Sequence, residues 1–198
     1  MKIKLLASLL LIGLVALPGS AQVLTNGSFE LTPDLTGWSG FGGTSVLTPG
    51  TPYSNQDGTK VAQMPASTNA GLTQLFALTP NTNYTFSALV AGDIGDDSVI
   101  RFLLADSTFG IAFIDHRQFT VTATALGNAM TGISYGFNSG TVSAAGLQID
   151  TFTAGGGTPR VVYLDNVTIT AAPAAAPEPA TLALLTLGGT LVVLRRRK

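Results

Sequence analysis

The chain has 198 residues, ten Lys and Arg against eleven Asp and Glu, a single histidine and no cysteine. Disulfide frameworks and cysteine-ligated zinc sites are therefore excluded, and a second imidazole for a zinc site is missing. Between residues 22 and 176 four basic side chains face ten acidic ones, a net charge of −6, so nucleic acid is not an expected partner.

The first element is a secretion signal. Lys2 and Lys4 precede an uncharged apolar run over residues 5–17, Pro18 breaks it, and Gly19-Ser20-Ala21 supplies small residues for cleavage. This pattern predicts a cleaved signal peptide over residues 1–21 with a short apolar helix.

Residues 22–172 form the expected folded domain, long enough to enclose its own core. Period-two alternation runs through it: Tyr84, Phe86, Ala88 and Val90 share one face, then Phe119, Val121, Ala123 and Ala125, then Ile133, Tyr135 and Phe137, and lastly Val161, Tyr163, Val167 and Ile169. Turn-forming stretches such as TPNTN, NSG and AGGGTP separate the runs, and no sustained helical period occurs. About eight strands at these intervals predict an all-β fold, a jelly-roll β-sandwich with one buried face per sheet.

The tail follows a Pro/Ala linker over residues 173–179. Residues 180–194 are fifteen positions without a charge, ended by Arg195-Arg196-Arg197-Lys198. As a helix this run rises about 22 Å at ~1.5 Å per residue, less than the roughly 30 Å of bilayer hydrocarbon. The reading is a short transmembrane helix that thins the bilayer, with residues 195–198 on the cytoplasmic side and the domain translocated. Pro177-Glu178-Pro179, the apolar run and the basic end together resemble the PEP-CTERM sorting signal of Gram-negative bacteria. That resemblance implies an exosortase as processing partner, export across the inner membrane, a temporary membrane anchor and a final place at the cell surface or outside the cell. It also implies a host that builds extracellular polysaccharide.

The domain carries a second resemblance. VLTNGSFE, then Gly37-Trp38, GLTQLFALTPNTNYTFSALV and finally VYLDNVTIT are similar to the galactose-binding-like jelly rolls, which include carbohydrate-binding modules. This implies the fold; a sugar ligand does not follow from fold alone.

Asp165 stands out because strict alternation puts it on the face of Val161, Tyr163, Val167 and Ile169, and a buried carboxylate needs a proton, a hydrogen bond or a cation. Glu30 ends the first predicted strand, which neighbours the last in similar sandwiches. The resemblance implies a structural calcium site built from Glu30 with the Ser28 carbonyl, Asp57 with the Lys60 carbonyl, and Asp165; oxygen donors of this kind suit Ca²⁺. The alternative is that Asp165 makes turn hydrogen bonds and Glu30 is solvated.

No catalytic set emerges, and the protein is expected not to be an enzyme. Gly132-Ile133-Ser134-Tyr135-Gly136 fits a hydrolase elbow in spelling, but its alternation is that of a strand, and His116 lies upstream in a polar link. Trp38, Phe41 and Tyr53 sit in loop-like surroundings where aromatic faces could stack on a sugar or plug the core. The expected function is that of an exported, non-enzymatic surface or extracellular-matrix protein with polysaccharide as the candidate ligand; a glycan-active hydrolase or lyase and a purely structural protein are the alternatives.

Overall fold

The computed structural model describes residues 22–66, 69–93, 98–106, 113–121, 123–153 and 161–172. The predicted signal peptide, linker, transmembrane helix and basic end lie outside these residues, and among them no helix is long and apolar enough to cross a membrane. All described strands belong to one compact unit, Ser20–Ala172.

Among the described residues ten strands form instead of about eight: β1 (Ser39–Phe41), β2 (Ser45–Leu47), β3 (Val61–Pro65), β4 (Gly71–Ala77), β5 (Asn83–Gly92), β6 (Ser98–Asp106), β7 (Phe113–Thr120), β8 (Thr131–Asn138), β9 (Ala144–Thr153) and β10 (Val161–Ala171). Two antiparallel five-stranded sheets result. Sheet A runs β2-β3-β10-β5-β8 and sheet B runs β1-β4-β9-β6-β7. The short β1 and β2 were missed because three residues cannot establish a period.

Alternation sorts the side chains as a sandwich requires. Sheet A turns Met64, Phe86, Leu164 and Ile169 inward, while sheet B turns Leu72, Phe102, Leu147 and Ile149 to meet them. The ring of Phe86 lies 4.7 Å from that of Phe102 in a tilted pair and 5.0 Å from Tyr135 in a stacked one. Each fully buried ring contributes about 2–3 kcal/mol by leaving water, and contacts of this geometry add to that. Buried Gln74, on the inward face of β4, satisfies itself by accepting from the Thr25 N–H and donating to the Thr25 and Gly37 carbonyls. It thereby stitches the N-terminal segment to sheet B.

Two expected periodicities break. The run through Ala125 stops at Thr120, and Ala123 makes an isolated parallel bridge to Gly92. In β10 the register slips between Asp165 and Thr168, where Asn166 takes φ 45°. This β-bulge changes the phase. Val162 and Leu164 face the core before it, Val167 and Ile169 after it. Asp165 therefore shares a face with Val161 and Tyr163 alone, on the outer side of sheet A.

That outer side has a small core of its own. Tyr53, Val61, Ala91 and Met130 are buried together, with Leu89 and Tyr163 against them. Two loops hold the cover down: Asn55 exchanges hydrogen bonds with the Met130 backbone at 3.0 and 2.7 Å, and Gly127 N–H donates to the Pro52 carbonyl.

Candidate functional site

The bulge in β10 delivers Asp165 to the underside of the loop before β3. Its exposure is 0 %. Oδ2 accepts from the Asp57 N–H at 2.6 Å and Oδ1 from the Asn166 N–H at 2.7 Å. Burial pushes this carboxyl up to about 7; the two N–H donors pull it down, and the charges of Asp57 and Glu30 push it up again.

Glu30 reaches the same loop from the N-terminal segment, which runs along β10 through Val23 N–H to Ile169 and Val167 N–H to Gly27. Gly27 is required there, since a Cβ would collide with the Val167 carbonyl oxygen. Glu30 Oε1 accepts from the Thr59 and Lys60 N–H groups at 2.7 and 2.5 Å. Gly58, at φ +83°, leaves room for it: a Cβ would stand 2.6 Å from the Glu30 carboxyl carbon. Between them the segment turns through Phe29, a non-glycine residue at φ 60° whose ring is fully buried 5.8 Å from Trp38. That packing offsets the strain of its left-handed backbone.

Ser28, Glu30, Asp57 and Asn166 line a cleft of about 390 Å³ over this cluster. The donor chemistry fits a hard divalent cation: oxygens only, with one carboxylate wholly buried. Lys60 does not neutralise it, because Nζ pairs with Asp34 at 2.7 Å. Among the described residues, however, no three acidic or imidazole side chains form a metal-binding group. Glu30 spends Oε1 on the two loop amides and Oε2 on the Thr59 hydroxyl.

The aromatic candidates separate. Trp38, 7 % exposed, belongs to the main core and donates its Nε1–H to the Asn26 carbonyl. Tyr53, 4 % exposed, packs 5.9 Å from Tyr163 under the loop cover; burial drives its hydroxyl up to about 12, helped by Tyr163 and Asp93. Neither presents a ring face to a ligand, and both candidacies are corrected to core roles. Phe41 behaves differently. It is half-buried on β1, on the outer face of sheet B, with its ring over Gly71.

From Phe41 a row of residues crosses all five strands: Phe41 beside Gly71, Gly71 beside Asp150, Asp150 beside Arg101, and Arg101 beside Gln118. Because Leu147 and Ile149 point into the core, Gln148 and Asp150 point out. Asp150 is nevertheless 0 % exposed. Arg101 Nε and Nη2 donate to its two oxygens at 2.8 and 2.7 Å, and Gln148 Nε2 adds a third bond at 2.6 Å. The hydrogen bond to Asp150 raises the Arg101 pKa, against the burial that lowers it. The guanidinium lies 5.5 Å from the Phe152 ring centroid. Thr73, Leu103 and His116 occupy the adjoining outer positions. Sequence reasoning missed Arg101, Gln148, Asp150 and Phe152. The available signal was a charge interrupting each of two apolar strands, Arg101 in SVIRFLLAD and Asp150 in AAGLQIDTFT.

His116 is in edge strand β7, not in a link, and Gly132–Gly136 lies wholly within β8. Pro177, Glu178 and Pro179 fall outside the described residues.

Comparison with known proteins bears on the fold of the domain and on the C-terminal tail. No curated protein gives a significant sequence match. Among solved structures the domain is similar to TmCBM61 in complex with β-1,4-galactotriose, at 18 % identity and TM-score 0.55, covering 77 % of this chain and 100 % of that one. It is also similar to a CBM4 structure, at 16 % identity and TM-score 0.51, covering 75 % and 99 %. A third similar structure is the Stig cyclase Fisc from Fischerella sp. TAU in complex with (3Z)-3-(1-methyl-2-pyrrolidinylidene)-3H-indole, at 20 % identity and TM-score 0.56, covering 79 % and 100 %. At these identities the likeness is one of fold, and it spans binding modules and an enzyme alike. Residues 175–198 match the PEP-CTERM protein-sorting motif, which indicates export and C-terminal sorting to the cell surface. The chain thus ends in a PEP-CTERM sorting motif, and its body has a jelly-roll fold similar to that of carbohydrate-binding modules.

Proposed function

We propose that this protein is a non-enzymatic surface or matrix component that holds polysaccharide on the outer face of sheet B. The row from Phe41 to Gln118 carries the reading. It combines aromatic rings at Phe41 and Phe152 with planar polar groups at Arg101, Gln118 and Gln148, the chemistry that meets a sugar's apolar face and its hydroxyl rim. What supports binding over cleavage is the state of Asp150. A hydrolase needs two carboxyl groups free to act on one bond, and both oxygens of this one are engaged by Arg101 and Gln148. The test is a glycan panel offered to the full chain. Arg101→Ala should weaken the positive glycans by about tenfold or more, as expected for losing a charged donor set; undiminished binding would move the site off this face.

Calcium belongs to the same proposal as a clamp on the fold. Glu30, Asp57 and Asp165, with the Ser28 and Lys60 carbonyls, would hold it once Glu30 leaves the Thr59 and Lys60 amides that bind it in this structure, and it would supply the positive charge that the buried Asp165 lacks. At the C-terminus, an exosortase in the inner membrane of a Gram-negative host would process the chain near Pro177-Glu178-Pro179, with residues 180–194 as a transient anchor and residues 1–21 removed beforehand.

A further inference from the structure

A carboxylate fully buried on the central strand of a sheet's outer face must be compensated. Arg101 does this completely: both Asp150 oxygens are bound, Nε to Oδ1 and Nη2 to Oδ2. The guanidinium has five N–H groups, so about three remain for a ligand, and Arg101 is 29 % exposed. Its charge, however, is already cancelled by a partner 2.7 Å away. The surrounding outer positions Thr73, Leu103, Gln118 and Gln148 are uncharged, with His116, 3.3 Å from Gln118, as an ionisable neighbour on the edge strand, and the whole domain is acidic, with four basic against ten acidic residues between positions 22 and 176.

These facts treat two kinds of sugar differently. The hydroxyls of an uncharged glycan can accept from the spare N–H groups while the Arg101–Asp150 pair stays intact. A uronate or sulfate reaching the same spare N–H groups meets a guanidinium whose charge Asp150 already cancels and gains no ion pair there, and displacing Asp150 would strand a buried carboxylate without its cation. We propose that Asp150 is the specificity-determining residue of this face: by cancelling Arg101 it admits uncharged glycans and turns away anionic ones. This rests on the polysaccharide reading above and adds to it a ligand class and a residue that sets it.

The test is calorimetric titration of the full chain, purified in detergent, with xylohexaose and β-1,4-galactotriose as uncharged probes and trigalacturonate and a heparin tetrasaccharide as anionic ones, at low and high salt. The wild type should bind an uncharged probe with little salt dependence and the anionic probes at least about tenfold more weakly, since bonds to an unshared charge are the strong ones. D150N frees the charge of Arg101 and should gain anionic binding about tenfold, lost again at high salt; the R101Q/D150N double variant should not. Should D150N fail to fold, Q118K places an uncompensated cation at an exposed position beside Arg101 and should bring the same gain. Anionic probes bound as tightly as uncharged ones by the wild type, or an unchanged preference in a folded D150N or Q118K, overturns the role of Asp150. A wild type that binds none of the four probes overturns the polysaccharide reading itself.

Discussion

The backbone N–H of Asp57 donates a 2.6 Å hydrogen bond to Oδ2 of Asp165, joining positions 108 residues apart. A mobile loop could not hold an acidic side chain at 0 % exposure, so this bond and the small core around Tyr53 act together to seal Asp165 beneath the loop.

Sealing it makes stability depend on pH. The Asp165 carboxyl moves from 3.8 up to about 7, so over that interval the folded chain keeps a proton that the unfolded chain has released. The unfolded state binds fewer protons there, and stability falls as pH rises. In the presence of EDTA the melting midpoint should be highest near the lower value and drop through the upper one. The loss amounts to a few kcal/mol at ~1.4 kcal/mol per pKa unit. Asp165→Asn should flatten the profile; a profile equally steep in that variant assigns the effect to other groups.

Calcium should reverse that drop. A cation that binds only the folded chain stabilises it by about 2.7 kcal/mol at a hundredfold excess over its dissociation constant. Added Ca²⁺ is expected to raise the midpoint at neutral pH, EDTA to lower it, and Glu30→Gln or Asp165→Asn to abolish the difference. Identical melting with and without chelator removes the clamp.

The two glycines of the cluster should be intolerant of a methyl group for different reasons. Gly27→Ala collides with the Val167 carbonyl oxygen and Gly58→Ala both meets the Glu30 carboxylate and strains a φ of +83°. Each should cost about 1–3 kcal/mol, measured by chemical denaturation. Gly50→Ala, where nothing lies within 4 Å, serves as the control and should be near neutral.

Trp38 and Phe41, three residues apart, should give opposite phenotypes. Trp38→Ala leaves a cavity beside Phe29 and loses the bond to Asn26, a destabilisation of about 3–5 kcal/mol, with glycan affinity of the folded fraction retained. Phe41→Ala should melt close to the wild type and bind polysaccharide more weakly. Denaturant titration paired with affinity electrophoresis separates the two.

Deleting residues 175–198 should change where the protein accumulates without altering the melting of the domain. Cell fractionation reads the first and calorimetry the second. Unchanged distribution would refute the sorting role of the tail.

The acidic cluster was half legible in the sequence. Asp165 was singled out because a carboxylate interrupts an apolar strand, yet the face assigned to it was correct only up to the bulge at Asn166. Alternation is a property of regular backbone, and one residue at φ 45° resets it. For Tyr53 the sequence left two readings open for a related reason. Gly, Pro and Ser around it mark a loop, but whether a loop stands in water or folds back over a sheet depends on partners as distant as Met130 and Tyr163.

What the sequence determined by itself were the properties carried by contiguous residues: the sorting motif at the end of the chain, and an all-β sandwich from alternation with turns between. Only the tertiary structure decided which strands are neighbours, and hence that Phe41, Asp150, Arg101 and Gln118 stand in one row. The physical reason is that a strand's two-residue period selects the face a side chain occupies, a local matter. Adjacency across a sheet is selected by backbone hydrogen bonds and core packing between segments a hundred residues apart, which no stretch of sequence contains alone.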